Sequence, residues 1–214
     1  MRLRQIVWPK FCVACGIEGD YLCPSCWQRV EFFSLPLDLK FDPCHLDRVC
    51  PVCCYQAPLI QLIAQMKYQS VKSICHFLAR ILFYCGNFSG DVDCVTWVPA
   101  TSKRIRQRGF NQSYLMAKHF SRFANLPIPK LLTKTKETSK QAKVKSKTQR
   151  QQHLKDSFSA SKKLLTAAKS NSVPKEVLII DDVVTTGSTL NECASVLKNY
   201  GVKKVEALTI AHRG

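Results

Sequence analysis

The sequence predicts an α/β protein: a parallel sheet with crossover helices, joined to a small Cys-rich module held together by metal. Three observations predict it. Residues 176–210 read strand, Gly- and Thr-rich turn, helix, strand, which is the order of a parallel unit. Residues 91–98 (DVDCVTWV) read as a further buried strand that Pro99 terminates. Eight of the twelve cysteines crowd into residues 12–54, in a chain with no export signal, so metal binding in a reducing compartment explains them better than disulfides do.

Taken in order, residues 1–56 are rich in Cys and Pro with little helical period and form a module of short hairpins. Cys12, Cys15, Cys23 and Cys26 make two CxxC knuckles seven residues apart, which together offer four thiolates to one tetrahedral zinc. Such a closed site leaves no position for substrate, so its role is to fold a segment too small to hold itself. Aromatics of this module (Trp8, Phe11, Tyr21, Trp27, Phe32, Phe33) serve either as its core or as stacking faces for nucleic acid. A second cluster, Cys44, Cys50 and Cys53, supports a second zinc only with His45 or Cys54 as fourth ligand. The remaining cysteines, 75, 85, 94 and 193, lie among apolar residues and read as core filler.

Residues 57–214 form the larger domain. Apolar positions from Leu59 to Leu82 recur at three- and four-residue steps and predict helix over 57–85. A second helix is expected at 111–124 and a weak strand at 126–132. Residues 133–150 contain almost nothing to bury and read as a mobile basic loop. A strand at 176–180, a helix at 188–200 stopped by Gly201, and a strand at 204–210 complete the domain. No apolar run approaches the ~20 residues that span a membrane, so a cytoplasmic protein without membrane insertion is expected.

The formal charge is +17, and residues 101–155 hold fifteen Lys and Arg against a single acid, Glu137. Polyanions or phosphates should be met there.

The sharpest motif is VLIIDDVVTTGST at 177–189. Ligands of parallel sheets sit beyond the carboxyl ends of strands, which places Asp181 and Asp182 at the crevice. Thr185, Thr186, Gly187, Ser188 and Thr189 follow, giving hydroxyls and backbone N–H groups at a helix N-terminus, a donor site for phosphate. The carboxylates would repel that phosphate and so should face sugar hydroxyls, their crowding eased by Mg²⁺ on the ligand. The plainer reading, a capped helix behind a polar turn, leaves the uninterrupted order of strand, acid pair, turn and helix unexplained.

This segment resembles the signature of type I phosphoribosyltransferases. With the N-terminal Cys knuckles, YQAPLIQLIAQMKY at 55–68 and KRIRQRGFNQS at 103–113, the chain resembles the ComF family along nearly its whole length. The resemblance implies a phosphoribosyltransferase-like core that binds phosphoribosyl pyrophosphate with Mg²⁺. Residues 98–101 (VPAT), Arg104 and Arg108 would hold the pyrophosphate, with Lys67 as a further cation. It also implies a flap at 133–150, where Thr138 and Gln141 keep the family spacing, while in the pattern that follows, Arg150 to Phe158, His153 and Ser157 replace Asn and Ala. Family members usually carry CxxC…CxxC in the second Cys cluster, where this chain has Phe41 in place of the first Cys. The association of the family with DNA uptake in competence implies partners there and single-stranded DNA. No segment names an acceptor or a catalytic base.

Overall fold

The computed structural model describes residues 10–33, 36–37, 43–135 and 157–213. Its centre is a four-stranded, all-parallel sheet in the order β1-β6-β5-β2, formed by β1 (Arg48–Cys54), β2 (Cys94–Trp97), β5 (Glu176–Val184) and β6 (Lys204–His212). Strand alternation separates two cores. Leu178, Ile180, Leu208 and Ile210 face one, Val177, Ile179, Val205 and Ala207 the other. This is the doubly covered parallel sheet that the apolar runs predict.

The first face is covered by α2 (Leu59–Tyr68), α3 (Ser73–Cys85) and α5 (Gln112–Ala124), whose Leu62, Ile63, Met66, Leu78, Leu82, Met116 and Phe120 are fully buried. The helical period over 57–85 is divided between α2 and α3 by Ser70, which adopts φ 58°. On the second face lie α6 (Lys162–Lys169), α7 (Ser188–Asn199) and an antiparallel hairpin of β3 (Leu132–Lys134) and β4 (Phe158–Ala160). The sequence reading lacks both α6 and this hairpin. Residues 126–131, expected as a strand, are irregular because Pro127 and Pro129 have no N–H to give to a ladder. They run beside β2 instead, where Pro127 O accepts from Val95 N–H at 2.9 Å. The basic segment at 133–150 lies outside the described residues from 136 onward, including Thr138 and Gln141, and so does His153 beyond it.

The Cys-rich part differs most from expectation. Arg48–Cys54, assigned by composition to the hairpin module, is the edge strand of the main sheet, in register with residues 206–212 of β6. Its outer edge is closed by Glu31, Phe33 and Leu37: Cys54 N–H donates to Glu31 O, Phe33 N–H to Val52 O and Leu37 N–H to Val49 O, at 2.8–2.9 Å. The edge is thus covered rather than left open to foreign strands. The preceding ribbon, with its one short helix α1 (Pro24–Trp27), docks on α3 through edge-to-face contacts of Tyr21 and Trp27 with Phe77 and a Tyr21–Ser73 hydroxyl hydrogen bond.

Of the four scattered cysteines, Cys75, Cys94 and Cys193 are buried core residues, whereas Cys85 is exposed at the end of α3. The ribbon aromatics divide similarly: Tyr21 is buried, Phe11 and Phe32 are exposed, and Trp8 lies outside the described residues.

Candidate functional site

β5 runs four residues further than its apolar stretch implies, so Asp181 and Asp182 lie within the strand, with Asp181 opposite Thr209 of β6. The two carboxylates then diverge. Asp181 accepts from the Ser113 hydroxyl, at the start of α5, at 2.7 Å, and from the Asp182 N–H at 2.9 Å. Asp182 pairs with Lys67 Nζ of α2 at 2.9 Å. Desolvation, then the neighbouring Asp182 charge, raises the Asp181 pKa to about 7, against the pull of Ser113 and Lys67.

Beyond Val184 the chain turns through Thr185, Thr186 and Gly187 into α7. Gly187 takes φ 78°, a left-handed conformation costly for any residue with a Cβ. Thr101, Asn111 and Ser161 each cap their helix with a side-chain oxygen, but Gly187 gives α7 no such cap. Of its first-turn N–H groups, that of Ser188 donates to Thr186 Oγ1 at 3.4 Å, and those of Thr189 and Leu190 are left for another acceptor. Thr186 and Ser188 hydroxyls hydrogen-bond at 2.8 Å. Together with Asp181, Thr185 and Thr189 they border a small polar hollow of about 60 Å³.

The basic segment is a short helix, α4 (Ser102–Arg108), started by the Thr101 cap on Arg104 N–H and stopped by Gly109 at φ 77°. It has no buried residue, so Lys103, Arg104 and Arg106 stand on the surface. Arg108 is half-buried and its Nη1 donates to Gln112 Oε1 at 3.1 Å. Its carbonyl accepts from Ser70 at 3.0 Å, joining α4 to the loop after Lys67. The structure thus brings Lys67 to Asp182 and ties Arg108 to the start of α5, one residue before the partner of Asp181.

In the ribbon, the ligand atoms of Cys12, Cys15, Cys23 and Cys26 all lie within 4.8 Å of one another, with Cys15 and Cys23 sulfurs 3.6 Å apart. Zn–S bonds of about 2.3 Å in a tetrahedron require sulfurs about 3.8 Å apart, so this donor set fits zinc. Burial works against ionisation of Cys12, but N–H groups of Cys23, Ala14 and Cys15 bring its pKa down to about 6. Cys26 is pushed up to about 12 by the Cys23 thiol and then by burial. One thiolate is thereby available to start coordination.

The second cluster does not assemble. Among the described residues the only metal-capable group of three or more is the ribbon set. Cys50 and Cys53 are buried in β1, and Cys44 is exposed, its thiol toward Leu46 O at 3.4 Å. Sheet pairing has taken two of the three proposed ligands into the core, and burial raises both thiol pKa values, that of Cys53 to about 12.

The match to a family model agrees with this architecture. The phosphoribosyl transferase domain family matches residues 105–214, just over half the chain. Competence protein F of Haemophilus influenzae is 29% identical over 97% of this chain and 87% of its own length. DNA utilization protein YhgH of Escherichia coli K12 is 30% identical over 86% of this chain and 81% of its own. Among solved structures, the glutamine phosphoribosylpyrophosphate amidotransferase of B. subtilis matches with a TM-score of 0.40 and 18% identity, over 67% of this chain and 26% of its own. The chain belongs to the phosphoribosyl transferase domain family, among the relatives of competence protein F and YhgH.

Proposed function

We propose that this protein binds 5-phosphoribosyl 1-pyrophosphate with Mg²⁺ and transfers its phosphoribosyl group, pyrophosphate leaving C1 as an acceptor attacks. The observation that carries this reading is the passage from a carboxylate pair through the uncapped Gly187 turn into α7. In this reading the hydroxyls of Thr185, Thr186, Ser188 and Thr189 and the first N–H groups of α7 hold the 5-phosphate. Asp181 and Asp182 accept from the ribose hydroxyls, oriented by Ser113 and Lys67. Arg104 and Arg108 face the pyrophosphate. Hard oxygen donors, one with a raised proton affinity, suit Mg²⁺, which would neutralise charge on the departing pyrophosphate. The chain supplies positioning and fixed charge rather than a covalent nucleophile.

Titration calorimetry of the ligand with Mg²⁺ against Asp181→Ala and Thr186→Ala tests the cradle. Both variants should lose binding; unchanged affinity would sink the assignment. Turnover is tested by pyrophosphate release stimulated by an acceptor.

A second reading is favoured by α4, which exposes three cations, Lys103, Arg104 and Arg106, and buries no residue. Here the protein senses the ligand without turnover and binds single-stranded DNA beside competence proteins in the cytoplasm; competence and DNA utilization stand in the names of its relatives. Such binding should weaken steeply with salt. Neutralising Arg106, or Lys143, Lys145 and Lys147 in the basic segment, should weaken it further, and a salt-independent interaction would reject it.

A further inference from the structure

The turn between α2 and α3 touches both halves of the candidate site. At its α2 end Lys67 pairs with Asp182. At its α3 end the Lys72 ammonium stands 5.9 Å from the ring centroid of Phe110, which is buried between α4 and α5. Between them Ser70 donates its hydroxyl to Arg108 O at 3.0 Å, 38 positions along the chain. Ser70 adopts φ 58° directly after the C-cap of α2. That left-handed conformation stops a helix, and glycine adopts it without strain. A helix stop needs no hydroxyl, so the bond to Arg108 is what the serine adds.

Arg108 has need of such a contact. α4 is seven residues long and buries none of them, so packing does not fix it. Thr101 holds its first turn, and Gly109 at φ 77° ends it. Arg108 is its last residue, and the carbonyl of a last residue has no partner within the helix. Ser70 supplies one. The guanidinium is held separately, Nη1 donating to Gln112 Oε1 at 3.1 Å. The α2–α3 turn is itself braced from its far side, where the Tyr21 hydroxyl meets Ser73 Oγ and the Tyr21 ring meets Phe77 edge-to-face. Backbone and head of Arg108 are thereby held from two different elements, which sets the direction of a long, flexible side chain.

We propose that Ser70 is a positioning residue of this site: by holding the end of α4 it aims Arg108 at the pyrophosphate of the phosphoribosyl ligand. This rests on the functional reading above. The test is calorimetry on the zinc-loaded full chain, with inorganic pyrophosphate and Mg²⁺ as one probe and ribose 5-phosphate as the other. Ser70→Gly deletes the hydroxyl and keeps the backbone conformation. It should weaken pyrophosphate about five-fold, leave ribose 5-phosphate within about two-fold and melt within about 2 °C of the parent. In an Arg108→Met background the same substitution should cost pyrophosphate nothing further, which a role in packing alone would not produce. No loss in Ser70→Gly, equal losses for both probes, or as large a further loss beside Arg108→Met would overturn the role of Ser70 alone. A parent that binds neither probe, or pyrophosphate affinity unchanged in Arg108→Met by itself, would instead overturn the functional reading, and this proposal with it.

Discussion

Lys67 of α2 and Asp182 of β5, 115 positions apart in the chain, form an ion pair of 2.9 Å with both side chains largely buried. Asp182 sits next to a second carboxylate, so this ammonium is what makes the pair tolerable in the folded protein. Removing it by Lys67→Met leaves a partly buried charge without its partner. The affinity for phosphoribosyl pyrophosphate should fall about ten-fold or more. Because the residues act as a unit, Lys67→Met combined with Asp182→Asn should lose much less than the sum of the two single variants. Additive losses in calorimetry would show that Lys67 acts on the ligand independently of Asp182.

The raised pKa of Asp181 sets two pH dependences. With a folded value of about 7 against 3.8, the folded state holds a proton the unfolded chain has already released. That contribution to stability is fully present below 3.8 and is lost as pH rises through about 7. Asp181→Asn removes this pH dependence, and with it the cost of an ionised buried carboxylate, so the variant should melt roughly 5 °C above the parent at pH 8, with the gap closing at lower pH. Ligand hydroxyls need the ionised carboxylate, so the parent's affinity should rise between pH 6 and 8, and the Asn variant's should not. A parallel pH profile in the two proteins would exclude Asp181 as the titrating group.

How much of this was legible depended on where each determinant lies. The order β5, turn, α7 is written locally, in an apolar run, a left-handed Gly and a helix stop, and it could be read directly. The opposite fates of Asp181 and Asp182 are set by Ser113 and Lys67, 68 and 115 positions away, and nothing local announces them. β1 was concealed by composition, since RVCPVCC looks like part of a metal ribbon. Pro51 is tolerated there because β1 is an edge strand. α4 reads as a charge run, yet Thr101 and Gly109 were available as start and stop signals.

The sulfur geometry of the ribbon predicts one zinc per chain. Metal analysis should give a stoichiometry of one that falls with Cys12→Ser or Cys26→Ser and is unchanged by Cys44→Ser. A value of two that Cys44→Ser reduces to one would reinstate the second site. Since Tyr21 and Trp27 pack on Phe77 of α3, chelation should also lower the melting temperature by roughly 5–10 °C.

Gly187 separates the contribution of the cradle from that of the fold. Its φ of 78° costs a residue with a Cβ about 1–2 kcal/mol, so Gly187→Ala should lower the melting temperature by only a few degrees. Under the proposed function binding should suffer far more, because the turn would present backbone N–H groups to the phosphate and a shifted backbone would misdirect them. Ribose 5-phosphate and phosphoribosyl pyrophosphate share that phosphate, and both should lose at least about ten-fold in affinity. Inorganic pyrophosphate, if held by the arginines of α4, should bind as it does to the parent. Equal losses for all three would mean that the variant distorts the whole carboxyl edge, and the separation of phosphate cradle from pyrophosphate segment would have to be abandoned.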